Sequence, residues 1–139
     1  MFERIMVAYD ESAEAGKALD VGIELARALG AELKVVTVLE PVPTYFSFAV
    51  SAAMAADWKD EKQARYSTLQ EQARKKASAA GLHFDTQLIH GDEVGTIIEC
   101  AKKYHADLLI LGMRKHTLLM GHTGQDVAER SPCALLGVR

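Results

Sequence analysis

The stretch of sequence that decides the fold is DLLILG at residues 107–112, followed by MRKH at 113–116 and GHTG at 121–124. A short continuous apolar run that ends at a glycine is typical of a strand buried on both faces of a parallel sheet. The second glycine stretch has the form of a turn that opens a helix, and the N–H groups at a helix N-terminus can bind an anion, usually a phosphate. The same glycines could serve only to turn the chain, and their spacing alone does not separate the two interpretations.

Segments with strand and helix periodicity alternate along the rest of the chain. Apolar or alternating runs predict the strands, and apolar residues at helical spacing predict the helices. The predicted strands are Arg4–Tyr9, Leu33–Leu39, His83–Ile89, Asp107–Leu111 and Cys133–Val138. Four helices are predicted. The first begins after the N-cap Ser12, and the second runs from about Ala55 to Ala80. The third begins after the N-cap Asp92, and the fourth runs from about Thr123 to Arg130.

The middle third of the chain is less regular. Thr44–Met54 has no clean period, and we expect a loop that lies on the surface or packs at an interface. In the long helix that follows, most charged side chains are expected to face solvent. The residues expected to face the sheet are Trp58, Leu69, Ala73 and Ala80.

The alternation of strands and helices predicts one α/β domain over residues 1–139, with a doubly wound, five-stranded parallel sheet and helices on both faces. If the first strand is central, the strand order is 3-2-1-4-5, and the order reverses between the first and fourth strands. Ligands of such sheets bind beyond the carboxyl ends of the strands at this point. The sequence there reads Ala8-Tyr9-Asp10 and Leu111-Gly112, so an acidic residue and a glycine loop are expected in one crevice.

Composition excludes several classes of function. A net charge of −3 with a pI near 5.9 gives no electrostatic basis for binding nucleic acid or an anionic membrane. No apolar run approaches the roughly 20 residues of a transmembrane helix, and the first residues lead directly into a strand, unlike a signal peptide. Cys100 and Cys133 lie far apart in the sequence and fit buried thiols of a reducing compartment, so a cytoplasmic protein is expected.

No constellation of catalytic or metal-binding residues stands out. Of the five histidines only His116 and His122 are close in sequence, and two histidines alone are weak evidence for a metal site. The sequence has no GxSxG serine, and neither cysteine has an obvious neighbouring base. We therefore expect no catalytic residue and no metal site of the protein's own. Mg²⁺ would arrive only with a bound nucleotide.

Several segments in combination resemble the universal stress protein family. IMVAYDES at residues 5–12 resembles the first strand of the family, DLLILG at 107–112 its fourth, and SPCALLGV at 131–138 its fifth. The HGD sequence at 90–92 resembles the turn before its third helix. The resemblance covers essentially the whole chain and implies a homodimeric stress-response protein that binds ATP or AMP.

The resemblance also implies where the nucleotide lies. The positions that contact the adenine in the family match Ala8, Tyr9 and Asp10. The apolar residue that packs on the base matches Val38, and the pair that ends the fourth strand matches Leu111 and Gly112. A side chain at Gly112 is expected to fill space that the ribose needs. Asp10 can also serve as a turn or capping carboxylate ahead of Ser12, and the two roles are compatible.

The loop that holds the phosphates departs from the family pattern, which runs glycine, two residues, glycine, nine residues, then glycine followed by serine or threonine. Gly112 and Gly121 match the first and last glycines, whereas Lys115 stands at the second. His122-Thr123 replaces the hydroxyl residue after the last glycine, and the loop is about four residues shorter than the pattern.

Side chains could compensate for the missing glycine loop. Arg114, Lys115 and His116 could contact phosphates directly, because arginine binds them as a fork and lysine as a point charge. The backbone N–H groups of Thr123 and Gly124 could help. The alternative is that Arg114 and Lys115 form only a solvated basic turn.

Three functions are compatible with these features. The first is a cytoplasmic, homodimeric, adenine-nucleotide-binding universal stress protein. The second is a dimeric interaction module of the same fold that has lost nucleotide binding. The third is a slow nucleotide hydrolase, against which the lack of a recognisable base or nucleophile argues.

The final strand is expected to form the dimer. In the proposed order it is an edge strand that is apolar along its length, and such edges usually recruit a partner. Members of the resembled family commonly pair through this strand, antiparallel to its two-fold mate. We expect contacts through Leu135, Leu136 and Val138, and part of Tyr45–Val50 is a candidate to flank them. The alternative is that a loop or helix of the same chain covers the strand.

Overall fold

The structure, a computed structural model, describes residues 1–41, 50–114 and 123–139. In these residues strands and helices alternate along the chain. They are β1 (Arg4–Ala8), α1 (Ala13–Leu29), β2 (Glu32–Leu39), α2 (Ala52–Ala79), β3 (Phe84–His90), α3 (Glu93–Tyr104), β4 (Leu108–Gly112), α4 (Thr123–Arg130) and β5 (Ala134–Val138).

The sheet has the predicted topology. Its order is β3-β2-β1-β4-β5, and all four neighbouring pairs are parallel. Helices α1 and α2 cover one face of the sheet, and α3 and α4 cover the other. The expected doubly wound α/β fold is confirmed.

The central strand β1 is buried on both faces, as its apolar sequence predicts. Side chains of successive strand residues point to opposite faces of a sheet. Ile5 and Val7 therefore join the hydrophobic cluster beneath α1 and α2, whereas Met6 joins the cluster beneath α3 and α4. All three side chains are fully buried.

The predicted helix caps are also confirmed. The Ser12 hydroxyl accepts a hydrogen bond of 3.1 Å from the Ala15 N–H at the start of α1. The Asp92 carboxylate accepts one of 2.7 Å from the Gly95 N–H at the start of α3. Each cap satisfies an N–H group that has no partner within its helix, and so fixes where the chain enters the helix from the sheet edge.

Helix α2 differs from its prediction in two ways. It begins at Ala52, three residues before Ala55, because Ser51 is an N-cap that accepts from the Met54 N–H at 3.2 Å. The predicted loop over Thr44–Met54 is therefore wrong for residues 52–54, and residues 42–49 lie outside the described part of the chain.

The face of α2 that packs on the sheet is also displaced from the predicted one. Its buried residues are Tyr66, Gln70, Ala73 and Ala77, of which Ala73 was predicted. The predicted Leu69 is half-buried and also packs against the cluster beneath α1 and α2. Gln70 faces the sheet because its side-chain amide donates to the buried Thr37 hydroxyl of β2. A buried polar residue inside an alanine-rich helix leaves little apolar periodicity from which to predict the face.

Candidate functional site

The carboxyl end of β1 leads into a tightly held turn. The Tyr9 N–H donates to the Val36 carbonyl of β2 at 2.8 Å, which continues the sheet pairing one residue past β1. Oδ1 of Asp10 then accepts from the Ser12 N–H at 2.8 Å. Asp10 therefore serves as a turn carboxylate ahead of Ser12, which is one of the two roles expected from the sequence. Its second oxygen, Oδ2, takes no part in this bond.

The carboxyl end of β4 lies directly against the start of α1. A Cβ atom placed on Gly112 would be 2.5 Å from both the Ala15 nitrogen and the Glu14 carbonyl carbon. Real Cβ atoms do not approach backbone atoms so closely, so only glycine fits here without displacing α1. The Met113 N–H then donates to the Val138 carbonyl at 2.7 Å, which carries the pairing of β4 with β5 past the strand end.

Arg114 joins the ends of β1 and β4. One guanidinium nitrogen, Nη2, lies 3.7 Å from Asp10 Oδ2, and Nε lies 4.0 Å from Glu14 Oε2. These are loose ion pairs, and the arginine side chain is 51% exposed. A guanidinium has five N–H donors, so Arg114 retains donors that can bind a further anion.

A second group of residues connects the starts of α3 and α4. The Glu93 N–H donates to Glu40 Oε1 at 3.1 Å, and Thr123 Oγ1 lies 3.5 Å from Glu93 Oε2, the limit of a hydrogen bond. Burial raises the pKa of Glu93, and the neighbouring carboxylates of Asp10 and Glu40 raise it further. Thr123 and Arg114 act in the opposite direction. Four chain segments thus place carboxylates and one guanidinium at the same edge of the sheet.

Apolar surface adjoins this polar edge. Ala8 at the end of β1 and Val38 near the end of β2 are half-buried and pack against the cluster beneath α3 and α4. Leu111 of β4 belongs to the same cluster and pairs with Ala8 across the strands. Ala8 and Val38 therefore leave part of their apolar surface open on one face of the sheet, next to the Asp10 turn.

Most of the sequence-predicted site residues are brought together. The structure gathers at the carboxyl edge of the sheet Ala8, Asp10, Val38, Leu111, Gly112, Arg114, Thr123 and Gly124. The Tyr9 side chain instead lies in the core beneath α1 and α2, where burial raises the pKa of its hydroxyl, so only its backbone faces the edge. Lys115, His116, Gly121 and His122 lie outside the described residues.

Three acidic residues at this edge were not predicted from the sequence: Glu14, Glu40 and Glu93. Each follows a β-strand within a few residues, and the carboxyl ends of parallel strands meet at one edge of the sheet. The position after the strand was therefore a usable signal for Glu40 and Glu93. Their mutual proximity depends on contacts across the fold that no local pattern encodes.

Other features of the described residues do not point to a second chemical centre. A cavity of about 640 Å³ lies between α3 and strands β2 and β3, and none of the predicted site residues lines it. Within residues 1–41, 50–114 and 123–139, no group of three or more histidine, cysteine or acidic side chains could hold a metal ion. No helix in these ranges is long and apolar enough to cross a membrane.

The chain is similar to known proteins over its whole length. The profile of the universal stress protein family matches residues 1–139. A universal stress protein of Thermus aquaticus, named for its place in the QAH/OAS sulfhydrylase 3′ region, is 33% identical over 145 residues, covering 100% of both chains.

Solved structures show the same fold. Universal stress protein UspA from Lactobacillus plantarum superposes with a TM-score of 0.84 at 20% identity, over 99% of this chain and 98% of the other. A universal stress protein in complex with cAMP has a TM-score of 0.76 at 25% identity, over 99% and 97%. A family protein of Arabidopsis thaliana with AMP bound has a TM-score of 0.70 at 15% identity, over 98% and 90%.

Proposed function

This chain belongs to the universal stress protein family, and from that premise we propose that it binds an adenine nucleotide, ATP or AMP, at the carboxyl ends of β1 and β4. We further propose that it does so as a cytoplasmic homodimer that takes part in a stress response. The binding proposal depends mainly on one observation: the open apolar surface of Ala8 and Val38, the Asp10 carboxylate and the Arg114 guanidinium meet at one edge of the sheet.

Each part of this edge suits one part of a nucleotide. The open surface of Ala8 and Val38 offers an apolar platform for a purine ring. Oδ1 of Asp10 accepts from the Ser12 N–H, whereas Oδ2 takes no part in this turn and can accept from an amino group or a ribose hydroxyl. The spare donors of Arg114 and the first residues of α4 suit a phosphate. Mg²⁺ would enter only with the nucleotide.

Replacing Asp10 by asparagine tests the role of its charge. Asparagine retains an oxygen that can accept from the Ser12 N–H, so the turn should persist while the charged acceptor is lost. A hydrogen bond to a charged group contributes about 1.5–3 kcal/mol, so AMP should bind at least about tenfold more weakly. Competition with a fluorescent ATP analogue measures the change.

The control for this variant is Asp85→Asn on the edge strand β3. The Asp85 side chain is 66% exposed and pairs with Lys34 at 3.2 Å, so the change removes the same charge from another part of the sheet. We expect Asp85→Asn to bind AMP as the unmodified protein does. Equal affinities for Asp10→Asn and Asp85→Asn would remove Asp10 from the site.

Lys115 is expected to contact the phosphates of a bound triphosphate. Its charge would replace backbone donors that the shortened glycine loop lacks. Lys115→Ala should therefore weaken ATP binding much more than binding of AMP or adenosine, as measured by isothermal titration. An equal loss for all three ligands would show that Lys115 only shapes the loop.

A further inference from the structure

Glu93 occupies an unusual position for a carboxylate in a phosphate-binding site. It is the first residue of α3, its N–H donates to Glu40 Oε1 at 3.1 Å, and its Oε2 lies 3.5 Å from Thr123 Oγ1. Thr123 is the first residue of α4. The N–H groups of a first helical turn have no partner within the helix and favour an anion. The chain therefore places its own carboxylate beside a group that would otherwise bind phosphate.

The charges that face Glu93 come from every neighbouring segment. Asp10 follows β1 and Glu40 follows β2, and both carboxylates raise the pKa of Glu93 in addition to burial. Arg114, after β4, and the hydroxyl of Thr123 lower it. Burial raises the pKa of the Tyr66 hydroxyl of α2, and the carboxylates of Glu11, Asp10 and Glu93 raise it further. Among the described residues that act on Glu93, the negative charges of Asp10 and Glu40 outnumber the positive charge of Arg114.

We propose that Glu93 is a specificity-determining residue that selects against additional phosphate groups. Its carboxylate occupies the position beside Thr123 at the start of α4. A β- or γ-phosphate that approached this helix start would have to displace the carboxylate or bind against its charge repulsion. This inference rests on the proposed nucleotide site. Adenosine brings no charge to this position and AMP brings only its first phosphate. ATP brings the most charge, so it meets the greatest repulsion.

The test compares Glu93→Gln with Glu99→Gln. Glutamine has nearly the shape of glutamate and can still accept from the Thr123 hydroxyl, but it carries no charge. Glu99 lies on the same helix, its side chain is 63% exposed, and it pairs only loosely with Lys102 at 3.7 Å. The two variants therefore have equal net charge and differ in whether the lost carboxylate faces the site.

Isothermal titration with adenosine, AMP and ATP gives the result. We expect Glu93→Gln to tighten ATP binding about tenfold, which corresponds to about 1.4 kcal/mol, because the variant removes one like-charge repulsion. AMP should gain less, adenosine should be unchanged, and Glu99→Gln should match the unmodified protein. The gain for ATP should shrink as the pH falls, because burial and the neighbouring carboxylates raise the pKa of Glu93, so the unmodified protein loses this charge at a higher pH than an ordinary glutamate would.

The outcomes separate this inference from the proposed function. If adenine ligands bind but the ratio of ATP to AMP affinity is the same in Glu93→Gln and Glu99→Gln, or if Glu93→Gln weakens ATP, the role of Glu93 is overturned and the site stands. If ATP binds to Glu93→Gln but not to the unmodified protein, the inference is supported. If neither protein binds any of the three ligands, both the site and the role of Glu93 are overturned.

Discussion

A valine at Gly112 is expected to lower the free energy of unfolding by about 3 kcal/mol, near the upper end of ordinary overpacking penalties, and to abolish nucleotide binding in the same protein. The reason lies in the atoms that the new side chain would meet. Its Cβ would be 2.5 Å from the Ala15 nitrogen and the Glu14 carbonyl carbon. Both are backbone atoms in the first turn of α1, and they cannot move unless the helix moves with them.

The functional loss follows from the same displacement. The Ser12 hydroxyl caps α1, and the Ser12 N–H holds the Asp10 carboxylate at 2.8 Å. A shift of the first turn would therefore move Asp10 away from Arg114 and open the edge of the site. From the sequence, a side chain at Gly112 was expected to exclude the ribose. The structure shows an obstacle within the protein itself, which acts before any ligand arrives.

Gly16→Ala is the matched control on the same helix. A Cβ on Gly16 meets no atom within 4 Å, and alanine in place of glycine inside a helix stabilises it by about 1 kcal/mol. Urea denaturation followed by circular dichroism should thus move the midpoints of the two variants in opposite directions. A Gly112→Val protein that unfolds at the midpoint of the unmodified chain would contradict the close contact between β4 and α1.

Leu135→Pro is expected to convert the proposed homodimer into monomers. The Val138 carbonyl accepts from the Met113 N–H at 2.7 Å and so points toward β4. Backbone groups of alternate strand residues point to the same side, so the Leu136 N–H also faces β4. The N–H groups of Leu135 and Gly137 then face outward, where β5 is the last strand of the described sheet. Proline at Leu135 removes an outward donor and leaves the inner ladder intact.

Leu135→Ala provides the control, because it truncates the same half-buried side chain but retains the N–H donor. Leu136→Pro would be unsuitable, since it would break the pairing of β5 with β4. Sedimentation equilibrium at micromolar concentration should give a dimer for the unmodified protein and for Leu135→Ala, and a monomer for Leu135→Pro. A monomeric unmodified protein, or a dimeric Leu135→Pro, would show that this edge is not the interface.

The fold could be predicted from sequence because its decisive signals are local. The continuous apolar run of β4, the capping Ser12 and Asp92, and the regular alternation of elements each depend on a few adjacent residues. Together these signals led to the observed strand order. Helix α2 was predicted less well because Gln70 faces the sheet through a hydrogen bond to Thr37, a partner 33 positions away in the sequence.

The site was predictable only in part, for a related reason. Asp10 and Gly112 could be placed because each ends a predicted strand, and topology brings the ends of β1 and β4 together. The contact between Glu93 and Thr123 joins two helix starts that are 30 positions apart in sequence. Whether a carboxylate weakens or strengthens the binding of a phosphate depends on such contacts. The spacing of residues along the chain does not reveal them.

Isothermal titration of the unmodified protein with AMP and with ATP and Mg²⁺ decides whether adenine nucleotides bind, as proposed for the carboxyl ends of β1 and β4. We expect saturable heat with one site per chain, and displacement of a fluorescent ATP analogue by the same ligands. The absence of both heat and displacement would overturn the proposed nucleotide site and favour a dimeric interaction module of the same fold that has lost nucleotide binding.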